Sequence, residues 1–150
     1  CIAKKVEARE HRETINYVLT FEEIMCMLEG NDIKFAEMSG DTAYERDASK
    51  LGLSFPLTAG VSAAVQDTVA AMGGEVHNAQ YCSGLDKCRD TVKAAAAGKL
   101  DCSYIEGMAC SNGCIDGPAA VGDFHITKVA LTKYAAAAPN KQTAEDKHTK

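Results

Sequence analysis

The alternation of helical and strand-like segments after Gly60 constrains the fold more than any other feature of the sequence. Apolar residues recur at helical spacing from Val61 to Met72, and two glycines then end the run. In chain order we predict a helix over 61–72, a strand over 75–81, a helix over 85–97, a strand over 100–106 and a helix over 125–138. Strands that alternate with helices usually form parallel sheets. The sequence therefore predicts an α/β fold with a parallel sheet flanked by helices.

Before Gly60 the local signals are fewer. Thr20 and Glu23 have the spacing of a reciprocal helix cap, which predicts a helix that ends at a left-handed Gly30. The run 17–19 just before this helix is prone to form a strand. The segment 31–55 has no clear periodicity, and we predict that it is mostly loop.

Length and charge limit the classes of function. The 150 residues are enough for one domain with its own core. The net charge of −5 disfavours nucleic acid as a partner, and no apolar run approaches the length of a membrane span. Because the chain begins at Cys1 and not at a Met, we expect it to be a piece of a longer protein. Its start has no signal-peptide pattern, and we expect that protein to be cytoplasmic.

The chain contains seven cysteines, an odd number that is high for its length. A secreted disulfide framework normally has an even number in a shorter chain. We therefore favour reduced thiols or a thiolate-bound metal over disulfides. The cysteines are Cys1, Cys26, Cys82, Cys88, Cys102, Cys110 and Cys114.

Two of these cysteines lie in the glycine-rich segment 107–117, directly after the predicted strand 100–106. Ligands of open α/β sheets bind beyond the carboxyl ends of the strands, which is where Cys110 and Cys114 fall. Thiolates suit zinc or iron-sulfur clusters, but the second close pair typical of zinc sites is missing. Buried core thiols are the plainer alternative, although the polar residues around the pair weigh against it.

Two segments carry a resemblance to a known family. Residues 1–9, CIAKKVEAR, resemble the second signature of the iron-only (FeFe) hydrogenase large-subunit active-site domain, Cys-x-x-Lys-Lys-x-Glu. Residues 105–117, IEGMACSNGCIDG, resemble its third signature, Glu-x-Met-Ala-Cys-x-x-Gly-Cys-x-x-Gly. The order of the two signatures is also that of the family, and the resemblance extends to about residue 138.

The resemblance implies a domain with two α/β lobes around a buried cluster. Residues 1–138 would form its C-terminal lobe, and 139–150 would form a flexible tail. The parent protein would interconvert dihydrogen with protons and electrons at a 4Fe-4S cluster joined to a diiron subcluster. The fragment alone is expected to be inactive, and it need not retain any cofactor by itself.

The resemblance also implies roles for individual residues. Cys1, Cys110 and Cys114 would be ligands of the 4Fe-4S cluster, with Cys114 also bridging to the diiron unit. Lys4 would donate a hydrogen bond to a cyanide ligand, and Met108 would line the diiron pocket, so these two are the catalytic candidates. Glu7 matches a position of the second signature, and its role is expected to be structural, through a pair with a neighbouring basic group. The cysteines that match no ligand position and are expected to be structural are Cys26, Cys82, Cys88 and Cys102.

The expected partners follow from the part of the family's domain that this chain lacks. The family's first signature, which has the fourth cluster cysteine and the cysteine that passes protons, is absent here. The missing N-terminal half of the domain would therefore be one partner, and a ferredoxin or ferredoxin-like domain would deliver electrons. No nucleic acid or membrane partner is expected. Self-association of the fragment is a further expectation, because an unpaired lobe exposes an apolar face.

Three alternatives stay open at this point. A hydrogen- or redox-sensing module is favoured by Pro118-Ala119-Ala120, which stands where the family usually has Gly-Gly-Gln-Pro. A relative of the iron-sulfur assembly proteins would keep the cluster cysteines without diiron chemistry, but Lys4 and Met108 weigh against it. An α/β domain with incidental thiols would require both signatures to be accidental.

Overall fold

The computed structural model describes residues 1–38 and 48–139. The described residues fall into two compact units. The N-terminal unit contains 1–38 and 117–122, and the sheet unit contains 48–116 and 123–139. Almost all of the predicted tail, and the middle of the segment predicted to be loop, lie outside the described residues.

The N-terminal unit is built on two helices, α1 (Ile2–Glu10) and α2 (Phe21–Gly30). The predicted cap of α2 is confirmed: the Glu23 N–H donates to Thr20 Oγ1 over 3.2 Å, and the Thr20 N–H donates to Glu23 Oε2 over 2.8 Å. The helix ends at Gly30, but the left-handed residue is Asp32, with φ of 58°. The prediction of a left-handed Gly30 is therefore wrong by two positions.

A lysine of α1 connects this helix to the start of α2. Lys5 Nζ donates to the Val18 carbonyl over 2.8 Å and to Glu23 Oε2 over 2.7 Å. The strand-prone run 17–19 forms no strand, because its central carbonyl bonds to a side chain and Tyr17 is 87% exposed. After α2, a single 3-10 turn spans Phe35–Glu37.

The sheet unit contains the predicted parallel sheet. Its elements are α3 (Lys50–Leu53), α4 (Gly60–Ala71), β1 (Gln80–Ser83), α5 (Leu85–Ala96), β2 (Ile105–Met108), a 3-10 turn (Cys114–Asp116) and α6 (Phe124–Ala136). The two strands pair in parallel, from Gln80 opposite Ile105 to Ser83 opposite Met108. The α/β class predicted from the order of segments is confirmed.

Both strands begin later than the sequence predicts. Asn78 has a φ of 49°, so the chain is not extended there and β1 begins only at Gln80. The chain before β2 is tied to the same turn, because the Ser103 N–H donates to the His77 carbonyl over 2.9 Å. The start of the pairing is therefore set by this turn, and not by the apolar pattern.

The helices agree more closely with prediction, because local signals mark their ends. α4 ends just before Gly73 and α5 just before Gly98, which are left-handed with φ of 79° and 67°. α6 begins at Phe124 and is capped by Asp123, whose carboxylate accepts the N–H groups of His125 and Ile126 over 2.9 and 3.1 Å. The C-terminal ends of α5 and α6 lie within two residues of the predicted ends.

The core of the described residues is small and consists of small side chains. The buried apolar side chains are Ala8, Ala64, Cys82, Ala135 and Ala138. Many large apolar side chains are exposed instead. In α4 the buried residues are Gly60, Ser62 and Ala64, and Met72, the last residue of the apolar pattern, is 81% exposed. Over 1–38 and 48–139, no helix has both the length and the apolar character to cross a membrane.

Candidate functional site

The candidate site is the loop that follows β2, which we call the cysteine loop (residues 109–116). β2 ends at Met108, and the loop then carries Cys110, which is half-buried, and Cys114, which is exposed. Cys114 opens the 3-10 turn Cys114–Asp116. Both thiols are free, and both follow the carboxyl end of a parallel strand, where the sequence predicts a ligand site.

Main-chain contacts fix the conformation of the cysteine loop. The Cys114 N–H donates to the Pro56 carbonyl over 2.8 Å, and the Gly113 N–H donates to the Cys110 carbonyl over 3.2 Å. Gly113 is buried and left-handed, with φ of 87°. A Cβ at this position would lie 2.5 Å from the Pro56 carbonyl oxygen. Only glycine fits here, so Gly113 sets the separation between the loop and the segment 56–58.

A buried carboxylate holds the segment that supports the loop. Glu106, in β2, is only 6% exposed. Its Oε1 accepts the Ala59 N–H over 2.9 Å, and its Oε2 accepts the Ser62 N–H over 2.6 Å. These groups belong to the N-terminus of α4, where Ala59 is left-handed and has no side-chain cap of its own. A carboxylate stabilises such an end through its hydrogen bonds and through the helix dipole.

Hydroxyl pairs add to this support. Thr58 Oγ1 lies 2.8 Å from Ser83 Oγ at the end of β1, and Ser62 Oγ lies 2.7 Å from the Tyr104 hydroxyl before β2. Ser62 and Ser83 are both buried, so each pair satisfies a polar group that would otherwise be costly to bury. The start of α4 is thus hydrogen-bonded to the end of β1, to Glu106 within β2 and to the residue before β2.

Met108 lies at the junction of β2 and the cysteine loop. Its side chain is half-buried, and its carbonyl accepts the Gly84 N–H over 2.8 Å. Met108, Cys110 and Cys114 therefore all belong to the sheet unit, within one strand end and its loop. The structure places these three predicted residues together, as their close spacing in the sequence requires.

The other two predicted residues belong to the N-terminal unit. Cys1 is exposed and is the residue that precedes α1. Lys4 is exposed on α1 and forms an ion pair with Glu7. Lys4 is therefore the neighbouring basic group with which Glu7 was expected to pair. The hydrogen bond from Lys4 holds the pKa of the Glu7 carboxyl below its usual value. The joint role of Cys1, Cys110 and Cys114 stays a prediction.

A family comparison bears on these residues. The family model of the iron only hydrogenase large subunit, C-terminal domain, matches residues 1–118, which include both cysteine-bearing signatures and all five predicted site residues. The chain belongs to this family. No curated protein matches it. The chain is therefore an iron-only hydrogenase-type domain, and its family implies an oxidoreductase parent with iron-sulfur cofactors.

The cysteine loop of this hydrogenase-type domain suits such a cofactor by its donors. Two free thiols stand on a loop whose conformation depends on main-chain contacts, and thiolates are the usual ligands of iron-sulfur clusters. In the described part of the chain, no group of three or more His, Cys, Asp or Glu side chains is arranged to hold a metal ion. Two thiols are too few for a four-cysteine cluster, so further ligands are required.

Glu106 is a positioning residue whose role was not predicted from the sequence. It is the only charged residue of β2, between the apolar Ile105 and the uncharged Gly107. A single acid within a short strand that leads to the candidate loop was the available signal. Its partners, Ala59 and Ser62, lie more than 40 positions earlier in the chain, so the sequence alone could not identify them.

Proposed function

We propose that this chain forms one lobe of the active-site domain of an iron-only hydrogenase, whose parent protein interconverts dihydrogen with protons and electrons. The observation that carries the proposal is the family match over residues 1–118, since it spans both signatures. The free thiols of Cys110 and Cys114, on a loop at the carboxyl end of β2, support it. Their position agrees with the usual location of ligand sites in α/β sheets.

In this proposal Cys1, Cys110 and Cys114 would hold a 4Fe-4S cluster, and Cys114 would also hold the diiron subcluster. The two iron centres would supply the electron transfer and the hydrogen chemistry. The thiols must lose their protons to bind, so cluster binding depends on pH. The contacts of Gly113 and Glu106 support the role of the loop, because they restrict where Cys110 and Cys114 can lie.

Lys4 and Met108 would contact the ligands and the surroundings of the diiron unit. The Lys4 ammonium has three N–H donors, so its pair with Glu7 leaves donors for an anionic ligand such as cyanide. Met108 offers a polarisable thioether that carries no exchangeable proton, and it would exclude water from the diiron unit. Lys4 would therefore orient a ligand, and Met108 would shape an apolar wall.

The proposed partners are the N-terminal half of the same domain and a ferredoxin-type electron carrier, in the cytoplasm. Large apolar side chains at the surface support the first partner. On α2, Phe21 and Met27 are 68% and 55% exposed, and on α6 Ile126 and Val129 are 72% and 54% exposed. Soluble domains rarely expose so much apolar surface unless another surface covers it. The same feature supports self-association of the isolated chain.

Hydrogen turnover by the full-length parent tests the proposal. We expect hydrogen evolution with a reduced artificial electron carrier, and we expect Cys114→Ser to abolish it. Cys26→Ser is the matched control, because Cys26 is also an exposed free thiol but lies on α2. The purified 150-residue chain is expected to show neither evolution nor uptake. A parent without turnover, or one unaffected by Cys114→Ser, would contradict the proposal.

One observation favours a second function, hydrogen or redox sensing by the same cluster. The residues after Gly117 are Pro118-Ala119-Ala120, where the family usually has Gly-Gly-Gln-Pro. A sensory parent would carry an attached signalling domain and would turn over hydrogen slowly or not at all. Sequencing the full-length gene distinguishes the two, since added ferredoxin-type cysteine runs would favour the catalytic parent.

A further inference from the structure

A second pair of thiols meets over Gly107, in the middle of β2. Cys82 lies on β1 directly opposite Gly107, and Cys88 lies in the first turns of α5. The Cys88 and Cys82 sulfurs lie 3.5 and 3.9 Å from the position that a Gly107 Cβ would occupy. Because Gly107 has no side chain, both sulfurs approach the same point on one face of the strand.

The same two thiols bond to β2 on either side of that glycine. Cys82 Sγ donates to the Glu106 carbonyl, and Cys88 Sγ donates to the Met108 carbonyl, each over 3.4 Å. Cys88 Sγ also lies 3.5 Å from the Cys82 carbonyl oxygen. The pair thus brackets Gly107, in the strand that leads into the cysteine loop.

We propose that Cys82 and Cys88 are a redox-active dithiol that closes to a disulfide under sustained oxidation by a peroxide. The half-buried Cys88 thiolate attacks one peroxide oxygen, the O–O bond breaks, and Cys88 becomes a sulfenic acid as hydroxide leaves. The buried Cys82 then attacks the Cys88 sulfur, and its proton leaves with the sulfenic oxygen as water. Two electrons pass from the sulfurs to the peroxide, which is reduced to water.

The surroundings of Cys88 make this reaction slow. Burial, followed by the neighbouring Cys82, raises the pKa of the Cys88 thiol. Since the thiolate is the nucleophile, little of the reactive form exists at neutral pH. The exposed thiols of Cys1 and Cys26 should therefore react first with any thiol reagent. The dithiol would respond to prolonged oxidant exposure, and a brief pulse would leave it reduced.

Oxidation of the pair would also affect the cysteine loop. A disulfide has no S–H protons, so the carbonyls of Glu106 and Met108 would lose both thiol hydrogen bonds. Met108 stands two positions before Cys110. We therefore expect the state of the dithiol to alter the exposure of Cys110. This inference does not depend on the proposed function, because it requires neither iron nor hydrogen chemistry.

Disulfide mapping of the full 150-residue chain tests the proposal. The reduced, iron-free protein is incubated with hydrogen peroxide, unfolded in urea so that every remaining thiol is accessible, alkylated with N-ethylmaleimide, digested with trypsin without reduction, and analysed by mass spectrometry. Trypsin cleaves after Lys87 and separates the two cysteines, so a disulfide joins two peptides. We expect a linked Cys82–Cys88 product, with loss of N-ethylmaleimide labelling at both positions together.

Two variants and one control make the result decisive. Cys88→Ser should leave Cys82 reduced, and Cys82→Ser should leave Cys88 without a disulfide partner. Cys102→Ser is the matched control, because Cys102 is also half-buried but does not belong to the pair. This variant should form the linked Cys82–Cys88 product as the native chain does. Full alkylation of both thiols after peroxide treatment, or disulfides that join either of them to another cysteine, would overturn the proposal.

A second measurement tests the effect on the loop. The alkylation rate of Cys110 is compared between the reduced chain and the chain with the Cys82–Cys88 disulfide. We expect the rate to change several-fold on oxidation in the native chain, and to stay constant on peroxide treatment in the Cys88→Ser variant. An equal rate in both states of the native chain would overturn the link between the dithiol and the cysteine loop.

Discussion

Replacement of Glu106 by glutamine tests how the cysteine loop is supported. Glutamine keeps the size of the side chain but has only one acceptor oxygen. One of the two N–H groups, of Ala59 or Ser62, would then face an NH2 group and lose its acceptor. The substitution therefore changes the hydrogen bonding of a buried group, which is 6% exposed in the native chain, and leaves no cavity.

The size of the effect follows from the two bonds. A hydrogen bond to a charged group contributes about 1.5–3 kcal/mol, and a neutral one about 0.5–1.5 kcal/mol. A buried donor without an acceptor costs about 1–3 kcal/mol. Glu106→Gln should therefore lower the free energy of unfolding by about 2–4 kcal/mol. For a chain of this length, that corresponds to a fall in Tm of about 5–15 °C.

Urea unfolding of the 150-residue chain, followed by far-UV circular dichroism, measures the change. Glu75→Gln is the matched control, because Glu75 is exposed and should change stability by less than about 0.5 kcal/mol. A Glu106→Gln variant as stable as the native chain would show that the Glu106 carboxylate does not stabilise the chain by accepting both N–H groups. Equal losses in Glu106→Gln and Glu75→Gln would show that the effect comes from net charge alone.

Three further predictions concern Gly113, Thr20 and Glu23. Gly113→Ala places a Cβ 2.5 Å from the Pro56 carbonyl oxygen and should lower Tm. Gly98→Ala is the control, because Gly98 also has a positive φ but has open space around it, so its Tm should fall less. Equal shifts of the two variants in thermal melts would refute the close contact. Thr20→Ala should cost about 1 kcal/mol in urea unfolding and Thr20→Ser almost nothing, and equal costs would contradict the cap. Lys5 and the Thr20 N–H hold the pKa of Glu23 below its usual value of 4.5, so its contribution to stability is present above that value and is lost as the pH falls through the lowered pKa. Glu23→Gln should therefore flatten the stability-against-pH curve on the acid side in unfolding titrations, and an unchanged curve would count against the pair.

Features determined by neighbouring residues were predictable from the sequence. The Thr20–Glu23 cap involves two side chains three positions apart, and it was identified with both partners correct. The ends of α4 and α5 were predicted because Gly73 and Gly98 tolerate the left-handed conformation that stops a helix. The cysteine loop was likewise placed correctly after a parallel strand, since its signature and the strand are adjacent in the chain.

Features determined by distant residues were not predictable. The starts of β1 and β2 depend on a turn at Asn78 and its contact with the chain before β2, which the apolar pattern does not encode. Glu106 finds its partners at the start of α4, and Cys82 meets Cys88 over Gly107 only because β1 and β2 pair in this register. Gly60, one of the small buried residues of α4, packs against the Ser54 carbonyl, where a Cβ would lie 2.0 Å away.

The most direct test of the central claim is the iron and acid-labile sulfide content of the full-length parent, purified without oxygen. The claim is that the cysteine loop binds an iron-sulfur cluster through Cys110 and Cys114. We predict that Cys110→Ser and Cys114→Ser each contain less iron and sulfide than the native protein, by the content of the cluster at the loop, whereas Cys26→Ser retains the native amount. Native iron and sulfide in both loop variants would contradict the claim.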